Sequence, residues 1–477
     1  MRSEPSLARN TLFSAVSSAS NVLLVVLVIV AARVLGERSF GYLSFALALA
    51  SIFEKMTDLG LNTLTARNVA RDRGLAGSYL PNILGWKAFL SMVVIGLFAL
   101  AVRFLNHDPE ARTAAYIIGV AFIMQCFKAT SVAFFQAYER FDLILLVMYV
   151  ERASTLVLCT LVLLFVGKLI PFALVFTLGR IPDLVLAYWL IHRKVTPFRV
   201  RFEPRVIKSL QVSAIPLGAY ALVFSAYWHI GTVILSAMRP AAEVGWYTAG
   251  YKIYEGLTMF PFLLCAVLLP HLSRLFVADR DRHAALSLRM LRYLTLGSMP
   301  LAVSVGVLAP QAVQLLYGKA YLPGVPALRI LLGATILMFI NWTLNTVLIS
   351  ADREKTVLRV ATAGLAVITV ANLALIRQFG VIGAACSVAI SELCVFMLLF
   401  VALKKVLFAV PAYSIAWRPA VACTSAAIVP YLSHLTAPVI WVLLFAALYM
   451  AMLVALGAFR AEEWSAVRSL FSPRRSS

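Results

Sequence analysis

Residues 80–105 read LPNILGWKAFLSMVVIGLFALAVRFL, with Lys87 and Arg103 as the only charges. A bilayer's hydrocarbon core is crossed by about 20 apolar residues in an α-helix. Inside it every backbone N–H and C=O needs a partner within the protein, so a single apolar run of this length reads as a helix. Lys87 lies well inside that run. A cation at mid-membrane costs about 2.5–3.5 kcal/mol on insertion scales, so a helix that keeps one has enclosed it in protein or water.

Runs of the same kind continue on both sides, from 11–35 and 42–66 through 113–137 to 413–433 and 438–459, about fourteen in all. The 477 residues are 62% hydrophobic and 13% charged, against about 45–50% and 25% for soluble domains. The fold class that follows is an all-α polytopic membrane protein, its helices forming two pseudo-symmetric bundles around a central cavity. The run at 11–35 is too long for a signal-peptide core and is read as a retained first helix.

The net charge of +21 does not imply nucleic acid, because no soluble basic domain exists to carry it. Lys and Arg instead mark cytoplasmic loops: Arg67/Arg71/Arg73, Arg193/Lys194/Arg199/Arg201/Arg205/Lys208, Arg274/Arg280/Arg282/Arg289/Arg292, Arg353/Lys355/Arg359, Lys404/Lys405/Arg418 and the tail Arg460/Arg468/Arg474/Arg475. This alternation puts both termini in the cytoplasm. The longest polar connection, 193–209, divides a first bundle (1–192) from a second (210–403), and 404–477 adds two helices and the basic tail. Ser39-Phe40-Gly41-Tyr42 echoes Glu243-Val244-Gly245-Trp246, and Gly119, Met124 and Ala137 align with Gly333, Met338 and Ala351. The copies would be parallel repeats related by an axis along the membrane normal.

Nothing points to catalysis or a cofactor. The six cysteines all fall in spans without a C-x-x-C pair, no metal-spaced His cluster exists, and no phosphate-binding or nucleophile motif is present. The loops are too short for a catalytic ectodomain.

Seven cations lie inside spans: Lys55, Lys87, Lys128, Arg152, Arg180, Lys252 and Arg329. Six carboxylates accompany them: Glu54, Asp58, Glu151, Asp183, Glu255 and Glu392. Arg180 with Asp183 and Lys252 with Glu255 have i,i+3 spacing. Glu54 and Asp58 share a face that Lys55 reaches, which makes them, with Glu255, candidates for ion coupling or a gate. Lys87, Lys128 and Arg152 have no acid at helical spacing, since Glu151 beside Arg152 points elsewhere; pairing across helices, or for Lys87 snorkelling to the cytoplasmic interface, is the alternative. With Lys252, Lys55 and Arg180 they are the expected cavity cations for an anionic cargo, concentrated in the first bundle. His229, Asn341, Asn345, Tyr251 and Tyr254 are candidate sugar contacts; interhelical hydrogen bonding is the alternative for the histidine and the asparagines.

The run ARVLGERSFG (32–41) resembles the polysaccharide-export flippases of the multidrug/oligosaccharidyl-lipid/polysaccharide exporter superfamily, as do Asp58-Leu59-Gly60-Leu61 with Arg67 and Arg71, Leu316-Tyr317-Gly318-Lys319-Ala320-Tyr321, and Ala351-Asp352-Arg353-Glu354-Lys355. The resemblance implies a MATE-like fold in the bacterial plasma (inner) membrane. It also implies alternating access for a polyprenyl-pyrophosphate-linked oligosaccharide, in a pathway with glycosyltransferases and a polysaccharide polymerase. Lipid II flippases of the superfamily carry a basic residue and a Glu three apart, a spacing that Lys252 and Glu255 match with Lys in place of Arg. Their many basic residues near the chain start are reduced here to Arg33 and Lys55, which favours an oligosaccharide repeat unit over lipid II. The competing expectations are a cation-coupled drug antiporter of the same fold and a membrane polysaccharide polymerase.

Overall fold

A computed structural model describes residues 7–106, 108–195, 203–408, 412–432 and 437–458. Arg199 and Arg201 of the basic linker and the tail cluster from Arg460 lie outside the described residues. The described residues are helical, with no strand among them. The helices are α1 (Leu7–Asp58), α2 (Leu61–Arg71), α3 (Ala76–Leu105), α4 (Pro109–Ala137), α5 (Phe141–Phe165), α6 (Leu169–Leu178), α7 (Ile181–Lys194) and α8 (Pro204–Met238). They continue as α9 (Ala241–Leu257), α10 (Met259–Ala278), α11 (Arg280–Leu316), α12 (Val325–Ser350), α13 (Glu354–Val406), α14 (Ala412–Leu432) and α15 (Pro438–Ala455). Among the described residues, ten stretches are long and apolar enough to cross a membrane, with α13 counted once. This is a multi-pass membrane protein.

Local sequence explains the breaks. α1 bends at Gly36 (φ 77°) and α13 at Gly380 (φ 54°), left-handed positions that glycine takes without strain. The run expected to continue through residue 66 instead ends at Asp58, where Leu59 (φ 45°) and Gly60 (φ 81°) turn the chain into α2. Pro182 sits in the first turn of α7 and interrupts the backbone ladder between α6 and α7. Asp108 caps α4 by accepting from the Glu110 N–H at 2.9 Å, ahead of Pro109, a favoured start.

The surface is inverted relative to a soluble protein. Met92, Phe104 and Phe165 are 73%, 72% and 81% exposed, while Lys87 is fully buried. Apolar side chains can face lipid without penalty, whereas a cation cannot.

The chain forms two compact units. The first comprises Met1–Ala249, Gln314–Gly324 and Ile368–Ala384; the second comprises Gly250–Val313, Val325–Val367 and Ala385–Ser477. In the first unit a core of Val69, Leu80, Leu84, Phe134, Phe135, Val147 and Ile191 ties α2, α3, α4, α5 and α7 together. Two close backbone approaches also belong to it. A Cβ on Gly41 would lie 1.9 Å from the Ala241 carbonyl oxygen, and one on Gly245 would lie 2.1 Å from that of Glu37. These are the two glycines that the sequence echo aligned, and each abuts the backbone around the other. Near the far end of the bent α1, a Cβ on Gly218 of α8 would lie 2.2 Å from the Leu59 carbonyl carbon. In the second unit Leu296, Phe445, Tyr449 and Leu453 pack with Ala422 and Ala426.

Candidate functional site

Buried charge in the first unit is organised around two lysines. Lys87 of α3 donates to Asp58 Oδ1 (2.7 Å), Asn62 Oδ1 (2.9 Å) and Thr130 Oγ1 (2.8 Å). An ammonium has three protons, and these contacts use them all. The break after Asp58 makes this possible, because it places the end of α1 and the start of α2 beside the same nitrogen.

Lys128 of α4 lies 2.5 Å from Glu151 Oε2 and 3.3 Å from Asp183 Oδ2. The other oxygen of Glu151 is 3.2 Å from Arg180 Nη1, which also donates to Gln125 Oε1 at 2.5 Å. The Arg180 guanidinium stands 4.9 Å from the Phe176 ring centre and 5.8 Å from that of Phe122, within cation–π range. Glu151 thus bridges two cations supplied by different segments. Arg152, next in sequence, is buried at 7% exposure.

The structure answers one open reading and corrects three expectations. Lys87 and Lys128 take acids from other helices, the pairing that spacing along one helix leaves open. Glu151 does not point away but joins Lys128 to Arg180. Arg180 and Asp183 do not pair with each other, because Arg180 caps α7 at the α6–α7 break and the i,i+3 rule requires one continuous helix. Lys55 likewise contacts Glu54 (3.3 Å) rather than Asp58 and is partly exposed. Asn62, Gln125 and Thr130 were missed; demanding a donor–acceptor partner for every buried charge would have drawn attention to polar residues inside the spans.

The same unit holds a cavity of about 340 Å³ walled by α1, α3 and α4. Phe53, Phe98, Phe122 and Tyr116 line it together with Glu54. Its exposed rim includes Ile95 and Val120.

In the second unit, Lys252 Nζ lies 2.6 Å from Glu255 Oε2, both side chains about 40% exposed. One helical face away, Tyr254 is buried and its hydroxyl lies 3.4 Å from Glu392 Oε1. Asn341 Nδ2 donates to Glu392 Oε2 at 2.7 Å and to the Glu392 carbonyl at 2.9 Å. Tyr254, a candidate sugar contact, and Asn341, for which interhelical hydrogen bonding is the alternative, thus each place a polar group on a buried acid. Tyr251 is buried, while Asn345 and His229 are half-buried. Arg329 is exposed and donates to the Gly306 carbonyl at 3.2 Å. Among the described residues no group of His, Cys, Asp and Glu could hold a metal ion.

A family model described as "Polysaccharide biosynthesis protein" matches residues 7–276, more than half of the chain. The chain belongs to this polysaccharide biosynthesis family. No curated protein matches it in sequence. Solved structures extend the comparison to the fold. A "Lipid II flippase MurJ, inward closed conformation" aligns over 93% of this chain and 98% of its own, with TM-score 0.75 at 14% identity. An inward-facing multidrug resistance MATE family transporter of the MOP superfamily aligns over 80% and 95%, with TM-score 0.65 at 15% identity. The eukaryotic MATE transporter AtDTX14 aligns over 85% and 96%, with TM-score 0.58 at 15% identity. The family member therefore has the MOP-superfamily fold of MATE and MurJ transporters.

Proposed function

We propose that this protein is a flippase and not an enzyme. It moves a polyprenyl-pyrophosphate-linked oligosaccharide from the cytoplasmic to the outer leaflet of the bacterial plasma membrane by alternating access, for surface polysaccharide biosynthesis. Glycosyltransferases supply the cargo and a polymerase consumes it. Family membership and fold support a transporter in this pathway. The observation that carries the cargo class is the single carboxylate shared by Lys128 and Arg180 inside the membrane.

Buried Lys128 and half-buried Arg180 meet on one acid, with Asp183 also on Lys128, and form a compact anion receptor held closed by the Glu151 carboxylate. A pyrophosphate that takes the place of Glu151 gains both cations at once, with the Arg180 fork matching phosphate oxygens. Lys87 and Arg152 add positive potential, and Lys252 is the cation of the second unit. Glu54, Asp58 and Glu255 are the acids available for ion coupling or gating. Tyr251, His229 and Asn345 remain the candidates for glycan contact.

The test is made in cells. Deleting the gene should leave the lipid-linked repeat unit on the cytoplasmic leaflet and remove surface polysaccharide. A copy with Gln at Lys87, Lys128, Arg152 and Lys252 should fail to restore it, and normal polysaccharide from that copy would sink the anion reading.

A second reading, export of lipophilic cations, draws on the aromatic-walled cavity with Glu54 in its lining. It requires the deletion strain to gain drug sensitivity. Unchanged sensitivity together with lost polysaccharide dismisses it.

A further inference from the structure

Glu392 is a carboxyl group in a membrane-spanning segment of the second unit, 5% exposed, and the anion receptor of the first unit makes no use of it. Intramembrane acids are costly to keep, and by default they mark ion or proton sites. We propose that Glu392, Asn341 and Tyr254 form a proton-binding site in which the Glu392 carboxyl takes up and releases a proton.

The geometry accommodates both protonation states without backbone movement. In the ionised state, Oε2 accepts the Asn341 amide at 2.7 Å, within the range of a charge-assisted bond. Oε1 accepts from the Tyr254 hydroxyl at 3.4 Å. That is long for a hydroxyl donating to a carboxylate, which normally closes to about 2.5–2.7 Å, so the Asn341 bond is the tighter of the two. In the neutral state a proton on Oε1 turns the same contact around: the acid O–H donates, and the Tyr254 oxygen accepts. Asn341 Nδ2 stays on Oε2, which then acts as the carbonyl oxygen of the acid. A phenol serves in both states because it is donor and acceptor together.

A second observation shows that the cluster is open on its acceptor side. Asn341 is 4% exposed, and its Oδ1 is a buried acceptor without a hydrogen-bond partner. Most buried side-chain polar atoms are satisfied, so an exception asks for a reason. This oxygen belongs to the same amide that binds Oε2, and turning that amide gives a protonated Oε2 an acceptor. The Asn341 amide from α12 and the Tyr254 hydroxyl from α9 both face Glu392. On α9, Tyr251 packs its ring 5.5 Å from that of Tyr254, and the Lys252–Glu255 pair, about 40% exposed, flanks Tyr254 two residues before it and one after. On α13 itself, Ser391 donates to the Gly364 carbonyl at 3.0 Å.

Infrared difference spectra of the purified full-length protein in liposomes, taken across a pH titration without cargo, test this directly. A carboxylic-acid C=O band should grow on acidification and be absent in Glu392→Gln. In Tyr254→Phe, which keeps the ring and removes the hydroxyl that serves both protonation states, the band's midpoint should shift. A full set of pH-dependent acid bands in Glu392→Gln overturns the proposal. Should that variant fail to fold, an unmoved midpoint in both Tyr254→Phe and Asn341→Leu overturns it as well. Because no cargo is present, failure of the flippase reading leaves this result untouched, and the reverse also holds.

Discussion

Lys87 illustrates how a membrane protein keeps a cation where none is welcome. Its nitrogen exchanges a hydration shell for one carboxylate, one amide oxygen and one hydroxyl, all between 2.7 and 2.9 Å. A buried pair of this kind contributes little compared with well-packed apolar groups, but removing one member strands the other and costs about 3–5 kcal/mol. Lys87→Met should therefore lower thermal stability in detergent markedly, and Lys87→Met combined with Asp58→Leu should recover most of the loss. A double variant as unstable as the sum of the two singles would show that the residues do not act as a pair. Asp108 gives a pH-dependent case outside the spans. The Tyr42 hydroxyl at 2.5 Å, with help from the Glu110 N–H and Arg38, holds its carboxyl below the ordinary carboxylate range. A depressed folded-state pKa stabilises at pH values above the unfolded pKa and stops doing so as pH falls through the folded one. Asp108→Asn should thus lower the melting temperature at neutral pH, and the gap from the unaltered protein should close as acid protonates the carboxylate. A gap that is constant with pH would assign the loss to packing alone.

At the scale of helices, contact between neighbouring elements depends on glycines that carry no interior side chain of their own. α1 and α9 meet where Gly41 and Gly245 leave no room for even a methyl group. Gly41→Ala should destabilise by about 1–3 kcal/mol through overpacking. Gly96→Ala on exposed α3, where an added Cβ meets nothing within 4 Å, should be neutral or stabilising by up to about 1 kcal/mol, because alanine is the better helix former. Equal effects at the two sites, measured by thermal unfolding, would remove the special status of the α1–α9 contact. Gly41 and Gly245 were legible in the sequence as matching positions, and so was the apolar run of nearly every helix. The breaks at Asp58–Gly60 and Gly179–Pro182 were less so, because hydropathy runs through them unchanged. Those two breaks decide which charges meet. Spacing rules assume one continuous helix, so Asp58–Lys87, Glu151–Lys128 and Glu151–Arg180 could not be read from them. Each is a contact between segments 23 or more residues apart, and only the folded bundle creates it. Glu392 was visible as an intramembrane acid but had no neighbour in sequence to suggest a role.

For the molecule as a whole, interior and surface charge follow different rules. Within the membrane, cations are matched almost one for one by acids, and Lys55, Lys87, Lys128, Arg180 and Lys252 each lie against a carboxylate. Outside it, the excess that makes the net charge +21 lies between the apolar runs, and the positive-inside rule would assign alternate loops to the cytoplasm. Loops holding Arg33, Arg38, Arg103, Arg112, Lys168, Arg239, Lys319 and Arg377 would then face outward, and those around Arg193 and Arg353 inward. Orientation sets the direction of cargo movement, so it can be tested before any cargo is known. Glu110 and Glu354 are both exposed acids at helix starts, and replacing either leaves every Lys and Arg in place. The native cysteines are quiet by comparison, with Cys126, Cys159, Cys265 and Cys423 buried and Cys386 and Cys394 partly so. Single Glu110→Cys and Glu354→Cys variants should therefore report the two faces to a membrane-impermeant maleimide. Glu110→Cys should react in intact cells, and Glu354→Cys only once the membrane is opened. The opposite pattern would invert the protein and reverse the direction in which a cargo enters.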